Sequence, residues 1–353
     1  MTAKPTVLHL GDPIKYNHDF YKTEFQSRFN VIQATETDRA SFIKALKTKK
    51  YGDFSALFRP HFQTGGFMGQ WDSELIPLLP DSTRIFASAG AGFNWADVDI
   101  LGQHKIWYAN GVGASDEAVS DTTLWMILGV FRNFTRSQLA ARTADPAIFT
   151  AVHKATAEIS HNPRGNVLGI VGFGNISKKV AFKARMALGM NIHYFDIRRA
   201  ELEEEKTVDA TYHESLEGLL KVADCVTLHT PLNEFTQDLM NERTLALMKP
   251  GSRLINTARG KVVNEDALIQ ALESGHLAAA GLDVHYHEPQ VSHKLASMEN
   301  VTLTTHVAGG ALETRVNFEL NAMKNIIQVV GPNGEFTGEP RTPVNRKAFE
   351  SEV

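Results

Sequence analysis

Short apolar or β-branched runs alternate with longer stretches of helical periodicity along this chain, five of them before a polar stretch at residues 161–165 and six after it. A strand followed by a helix and another strand continues one sheet in parallel, because the return to the starting edge needs a crossover about as long as the helix. The first set is residues 6–10, 29–32, 54–58, 85–89 and 106–109; the second is 167–172, 191–196, 225–230, 253–257, 279–284 and 301–305. Two sets predict two doubly wound parallel sheets, an α/β chain of two domains, which suits a length of 353 residues.

Between the sets, residues 115–143 carry Val119, Leu124, Ile127, Leu128, Val130, Phe131 and Leu139, a pattern predicting one long helix that is apolar on more than one side. Such a helix needs a second apolar partner, and another subunit would supply one. A last helix over 311–330 is predicted to stop at Gly331 and Pro332, with an extended tail beyond.

Thirty-six basic residues against 40 acidic ones leave a net charge of −4, which removes the compositional case for a nucleic-acid partner. With 43% hydrophobic and 22% charged residues the chain is not of disordered type. Its one cysteine, Cys225, excludes an intramolecular disulfide and fits a reducing compartment. The N-terminal apolar stretch is too short for a signal-peptide core, and no run approaches the roughly 20 residues of a membrane span. A cytoplasmic protein without membrane partners is expected.

The run 167–172 leads directly into GFGNIS, residues 172–177, and then into a helical pattern. At such a strand-to-helix turn Gly172 and Gly174 let backbone approach a pyrophosphate, while Asn175 and Ile176 open the helix whose N-terminus faces it. The third glycine of that fingerprint is Ser177, a small side chain expected to shift the helix slightly. The next strand ends in Asp196, 22 residues beyond Gly174, the spacing of a ribose-binding carboxylate. Asp196 beside a 2′-phosphate favours NAD over NADP, while Arg198 and Arg199 follow at once and would oppose that preference if they reached a phosphate.

Reducing a 2-oxo acid requires a cation for the carboxylate, a proton donor for the carbonyl oxygen and a group that keeps the donor protonated. Arg259, Glu288 and His306 each follow a strand of the second set, at the end where open α/β sheets hold their ligands. His285, His287 and Glu288 in HYHE would suit zinc as well, but no further ligand set accompanies them, so no metal is expected. In the first set, Phe58, Phe62, Phe67, Met68 and Trp71 crowd the loop after the third run, either as core or as the wall of a bulky-substrate site.

GFGNIS, LHTPLN (228–233), MKPGSRLINTARG (248–260), AGLDV with Glu288 five residues past Asp283, and TTHVAGG together resemble the NAD-dependent D-2-hydroxyacid dehydrogenase family. SAGAGFNWADVD (88–99) is similar to that family's substrate-carboxylate loop, with Asn94 where the pattern usually carries Asp. FRPH, SAGAGFNW, NPRGNVLG and TTHVAGGALET look most like the fungal D-mandelate dehydrogenases within it.

The resemblance implies two Rossmann-like domains with a cleft between them. One is a discontinuous flavodoxin-like substrate domain (1–112 and 310–353), the other an NAD-binding domain (113–309). It implies that Arg259 binds the substrate carboxylate, that Glu288 hydrogen-bonds His306, and that His306 is the acid and base. Amides near Gly90, Ala91 and Gly92 would take carboxylate oxygens. Thr230, Pro231, Thr257, Ala258, Asp283 and Gly309 would join the glycine turn, Asp196 and Arg198 around NAD. A homodimer through the NAD-binding domain is also implied. Two other functions share these motifs: a dinucleotide-sensing corepressor, and formate dehydrogenase, a relative that pairs its histidine with glutamine rather than glutamate.

Overall fold

The structure is a computed structural model that describes residues 4–62 and 64–350. Its contacts divide the chain into two units, Met1–Ser115 with Gly310–Val353, and Asp116–Gly309.

The first unit holds a five-stranded sheet: β1 (Thr6–His9), β2 (Asn30–Gln33), β3 (Ala56–Arg59), β4 (Ile85–Ser88) and β5 (Trp107–Ala109). All four pairings are parallel and the order is β2-β1-β3-β4-β5, a doubly wound sheet whose direction of growth reverses between β1 and β3. β3 and β4 are buried along their whole length, as expected of central parallel strands covered on both faces. The helix Leu312–Val329 covers one face through Ala322, Met323, Ile326 and Val329.

The second unit holds seven parallel strands: β6 (Val167–Val171), β7 (Asn191–Phe195), β8 (Thr211–Tyr212), β9 (Cys225–Leu228), β10 (Ser252–Asn256), β11 (Leu277–Leu282) and β12 (Val301–Leu303). The order β12-β11-β10-β9-β6-β7-β8 reverses between β6 and β9, so the glycine turn after β6 stands at the switch point. β8, two residues long on the sheet edge, carries too short an apolar pattern to be read from sequence.

Residues 115–143 do not form one helix. The helix Asp116–Arg132 ends and the helix Phe134–Arg142 begins across Asn133, which adopts a left-handed conformation (φ 54°). Asparagine tolerates that conformation. The returning segment closes the break: the His161 N–H donates to the Phe131 carbonyl at 2.9 Å and the Ser160 hydroxyl to the Arg132 carbonyl at 3.0 Å. A third helix, Pro146–Ile159, follows; its N-terminus is capped by Asp145 and none of its residues is buried. The tail is not simply extended either. Phe349, in the turn of helix Lys347–Glu350, stacks on Trp107 at 3.8 Å, and the buried Asn345 accepts from the Tyr108 amide.

Candidate active site

β6 delivers the chain into the glycine turn. Gly172 takes φ +88°, and a Cβ there would meet the His229 carbonyl at 3.0 Å, so the turn tolerates no larger residue. Gly174 differs: a Cβ on it would meet no protein atom within 4 Å. Its smallness leaves a cradle above the helix Asn175–Lys183, whose leading N–H groups receive no side-chain cap. Ser177 is fully buried and donates its hydroxyl to the Gly174 carbonyl at 3.0 Å, so the exchanged glycine becomes a tie within the turn. Asn175 is exposed and Ile176 half-buried at the same terminus.

Asp196 reaches back from the end of β7. One carboxylate oxygen accepts the Phe173 amide at 2.6 Å and the other accepts the Arg198 amide at 3.2 Å, so a single side chain fixes the glycine turn and the loop after β7. The Arg198 side chain is exposed. Arg199 turns aside, with Nε and Nη2 each 2.9 Å from Glu205 oxygens.

After β9, the Thr230 hydroxyl oxygen is buried without a partner among the described residues, and Pro231 is exposed. After β10, Thr257 bonds Thr123 at 3.1 Å and the Ala258 amide donates to Asn256 Oδ1 at 3.0 Å. The open cradle, the uncapped helix terminus and the orphaned hydroxyl fit a nicotinamide dinucleotide. Gly174, Asn175, Ile176, Asp196 and Thr230 lie at this turn and the neighbouring strand ends and would be the groups to hold it.

Asp283, at the end of β11, is fully buried, and both its carboxylate oxygens are taken by the loop after β12. Oδ1 accepts the Thr304 hydroxyl at 2.6 Å and the Val307 amide at 2.8 Å, and Oδ2 accepts the Ala308 amide at 2.9 Å. That anchoring shapes the bend at His306, where φ is +56°, a strained value for a residue with a β-carbon. Gly309 follows, half-buried. Sequence reasoning missed this structural use of Asp283; an acid ending a buried strand with a Thr-Thr-His turn after the next strand was the available signal.

His306 Nδ1 stands 2.8 Å from Glu288 Oε2, and Glu288 Oε1 accepts the His285 amide at 2.9 Å. Desolvation alone would raise the Glu288 carboxyl, but the bonds from His306 and His285 prevail and hold it below the usual carboxylate range. Arg259 follows β10, its proton affinity lowered by desolvation and supported in the opposite sense by the Glu288 charge. A Cβ on Gly260 would fall 1.9 Å from the His285 carbonyl oxygen, so the Arg259 turn lies directly against the strand exit that carries Glu288. The second unit thus gathers the guanidinium, the carboxylate and the imidazole at the carboxyl ends of β10, β11 and β12. Of the candidate zinc set, His285 Nε2 engages the Thr304 carbonyl at 2.7 Å and the His287 ring packs on Tyr286. Among the described residues no group of three metal-ligating side chains forms.

In the first unit, the loop after β4 has its carbonyls committed: Gly90 accepts the Gly111 amide at 2.8 Å and Ala91 accepts Asn110 Nδ2 at 2.7 Å. No acceptor among the described residues takes the N–H of Gly90, Ala91 or Gly92. Gly90 has φ +88°, and a Cβ on it would lie 2.8 Å from the Phe62 ring. Of the five residues weighed as core or substrate wall, Phe58, Met68 and Trp71 are buried core, Phe67 is half-buried against the cluster that holds Met68 and Trp71, and Phe62 is exposed, at 36%.

The model of the D-isomer specific 2-hydroxyacid dehydrogenase NAD binding domain matches residues 124–308. The holo form of Rhodotorula graminis D-mandelate dehydrogenase is 46% identical, with a TM-score of 0.93 over 97% of each chain. A glyoxylate reductase from Paecilomyes thermophila is 32% identical, with a TM-score of 0.87 over 98% of this chain and 99% of that one. 4-Methyl-2-oxopentanoate reductase A of Aspergillus oryzae is 31% identical over 92% of this chain and 95% of its own. With the glycine turn, the three convergent strand exits and these likenesses together, the chain belongs to the D-isomer specific 2-hydroxyacid dehydrogenases and is an oxidoreductase that uses a nicotinamide dinucleotide.

Proposed function

We propose that this enzyme interconverts 2-oxo acids and (R)-2-hydroxy acids with NAD, and that its substrates are bulky or aromatic, of the benzoylformate and D-mandelate kind. The observation that carries the reading is the His306–Glu288 pair at 2.8 Å beside the Arg259 turn. When bound, the nicotinamide ring supplies or accepts the hydride. Arg259 offers a planar fork that matches a carboxylate and polarises the neighbouring carbonyl. Glu288 engages Nδ1 of His306, which assigns proton transfer to Nε2. In reduction Nε2 gives its proton to the carbonyl oxygen as the carbonyl carbon gains hydride; in oxidation it takes that proton back. The free amides of Gly90, Ala91 and Gly92 are assigned to the substrate carboxylate. The glutamate at position 288 favours this acid–base chemistry over formate oxidation, which needs no proton donor.

Asp196 supports NAD over NADP, because a carboxylate about 5 Å from a phosphate charge costs roughly 3 kcal/mol at an effective dielectric near 20. Thr257, Ala258, Pro231 and Gly309 border the same strand ends and are assigned to the cofactor with the glycine turn; Asp283 reaches it through the loop it shapes. The aromatic preference rests on Phe62 beside Gly90 and on the likeness to a mandelate enzyme.

A homodimer through the NAD-binding unit is supported by exposed Trp125, Phe134, Leu139, Ile148, Phe149 and Ile159 on the three helices that precede β6. Sedimentation at micromolar concentration should return twice the chain mass. A cytoplasmic location is supported by the single buried thiol, and among the described residues no helix is long and apolar enough to cross a membrane.

The test is NADH oxidation with benzoylformate, 4-methyl-2-oxopentanoate, pyruvate and glyoxylate. Benzoylformate or the branched acid should give the highest kcat/KM. Failure with all four would favour a nucleotide-sensing role.

A further inference from the structure

The loop after β7 and the helix Leu202–Val208 form a network that the glycine fingerprint does not account for. Glu205 lies almost fully buried, its side chain 8% exposed, and three donors meet its carboxylate. Arg199 contributes Nε to Oε1 and Nη2 to Oε2, both at 2.9 Å, and the Tyr194 hydroxyl donates to Oε1 at 2.5 Å. The same hydroxyl accepts the Ala200 amide at 3.0 Å, which fixes the loop carrying Arg199. The Tyr194 ring stacks on Phe173 of the glycine turn at 4.1 Å, and the Phe173 amide is held by Asp196. One residue earlier, Glu204 pairs with Lys178 from the first turn of the helix that starts at Gly174. Of the cations nearest Asp196 along the chain and across this turn, Arg199 and Lys178 are therefore bound to consecutive glutamates.

Resting on the proposed use of NAD, we infer that Glu205 is a positioning residue for cofactor choice: it withholds Arg199 from the 2′-phosphate of NADP. A guanidinium that swings toward a 2′-phosphate must leave Glu205 buried with one donor in place of three, and an uncompensated buried carboxylate opposes that movement. Glu204 acts on Lys178 in the same sense. Asp196 repels the phosphate while the clamps remove the groups that would attract it, leaving Arg198 as the nearby cation outside the clamps.

The test is the dissociation constants of NADH and NADPH, read from nicotinamide fluorescence without any 2-oxo acid, so that cofactor choice is separated from substrate identity. Glu205→Gln, or Glu205→Met should the first variant not fold, should tighten NADPH binding about fivefold or more while NADH stays within about twofold. Adding Arg199→Gln to either should abolish the gain, and Arg199→Gln alone should leave both constants within about twofold of the parent. The inference is overturned if neither Glu205 variant changes the NADPH-to-NADH ratio, if the gain survives loss of Arg199, or if Arg199→Gln alone weakens NADPH binding. A parent that binds neither nucleotide overturns the cofactor reading itself and this inference with it.

Discussion

The main-chain N–H of His306 donates to the Asp283 carbonyl at 2.7 Å, and the Asp283 carboxylate takes the two N–H groups that follow. The residue read as acid and base thus rides on a bend with φ +56° that a buried aspartate holds in place. Asp283→Asn presents an amide to a donor that needs an acceptor, a loss of about 1–3 kcal/mol for a buried group left unsatisfied. Thermal unfolding should shift downward and kcat should fall with it. A variant with parental stability and parental kcat would show that the bend does not depend on this carboxylate.

Glu288→Gln removes the counter-charge of the His306 imidazolium while keeping the side-chain shape. The bond between Glu288 and Nδ1 orients the ring that hands over the proton, so kcat for reduction should fall in the variant. The folding linkage has its own sign. The folded-state proton affinity of Glu288 is depressed, so its contribution to stability is present above the unfolded carboxyl value and is lost as pH falls through the folded one. The variant should therefore lose less stability than the parent on acidification. An unchanged kcat for reduction would break the pairing as a functional unit.

Arg259→Lys retains the charge and loses the fork. If the guanidinium holds the substrate carboxylate through two charge-assisted bonds, losing one costs about 1.5–3 kcal/mol, or roughly a 10- to 150-fold drop in kcat/KM. Steady-state kinetics with the best 2-oxo acid read it directly. Unchanged kcat and KM would remove Arg259 from the site.

Phe62→Ala should lower kcat/KM for benzoylformate relative to pyruvate by about tenfold, since one buried aromatic contact is worth about 0.5–1.5 kcal/mol beyond its area. Equal losses on both acids would assign Phe62 to packing against Gly90 rather than to substrate choice.

The parallel sheets were legible because central strands such as β6 and β9 are buried almost throughout and read as short apolar runs. Arg259, Glu288 and His306 stood out as candidates because each lies a few residues past a strand end. The break at Asn133 was not, since its cause is remote in sequence: residues 160 and 161 return to close the helix end. The aromatic cluster after β3 mixed core with surface, and only burial separates Phe62 from Trp71. Arg199, weighed in the sequence as a group that could reach a phosphate, is committed by Glu205, six residues on, because the helix that carries Glu205 turns its carboxylate back toward the loop.

A crystal structure with NAD and a bound 2-oxo acid tests the central claim most directly. The account predicts the Arg259 fork on the substrate carboxylate and His306 Nε2 within about 2.6–3.2 Å of the carbonyl oxygen. A substrate whose carboxylate lies away from Arg259, or whose carbonyl oxygen faces a group other than His306, would contradict it.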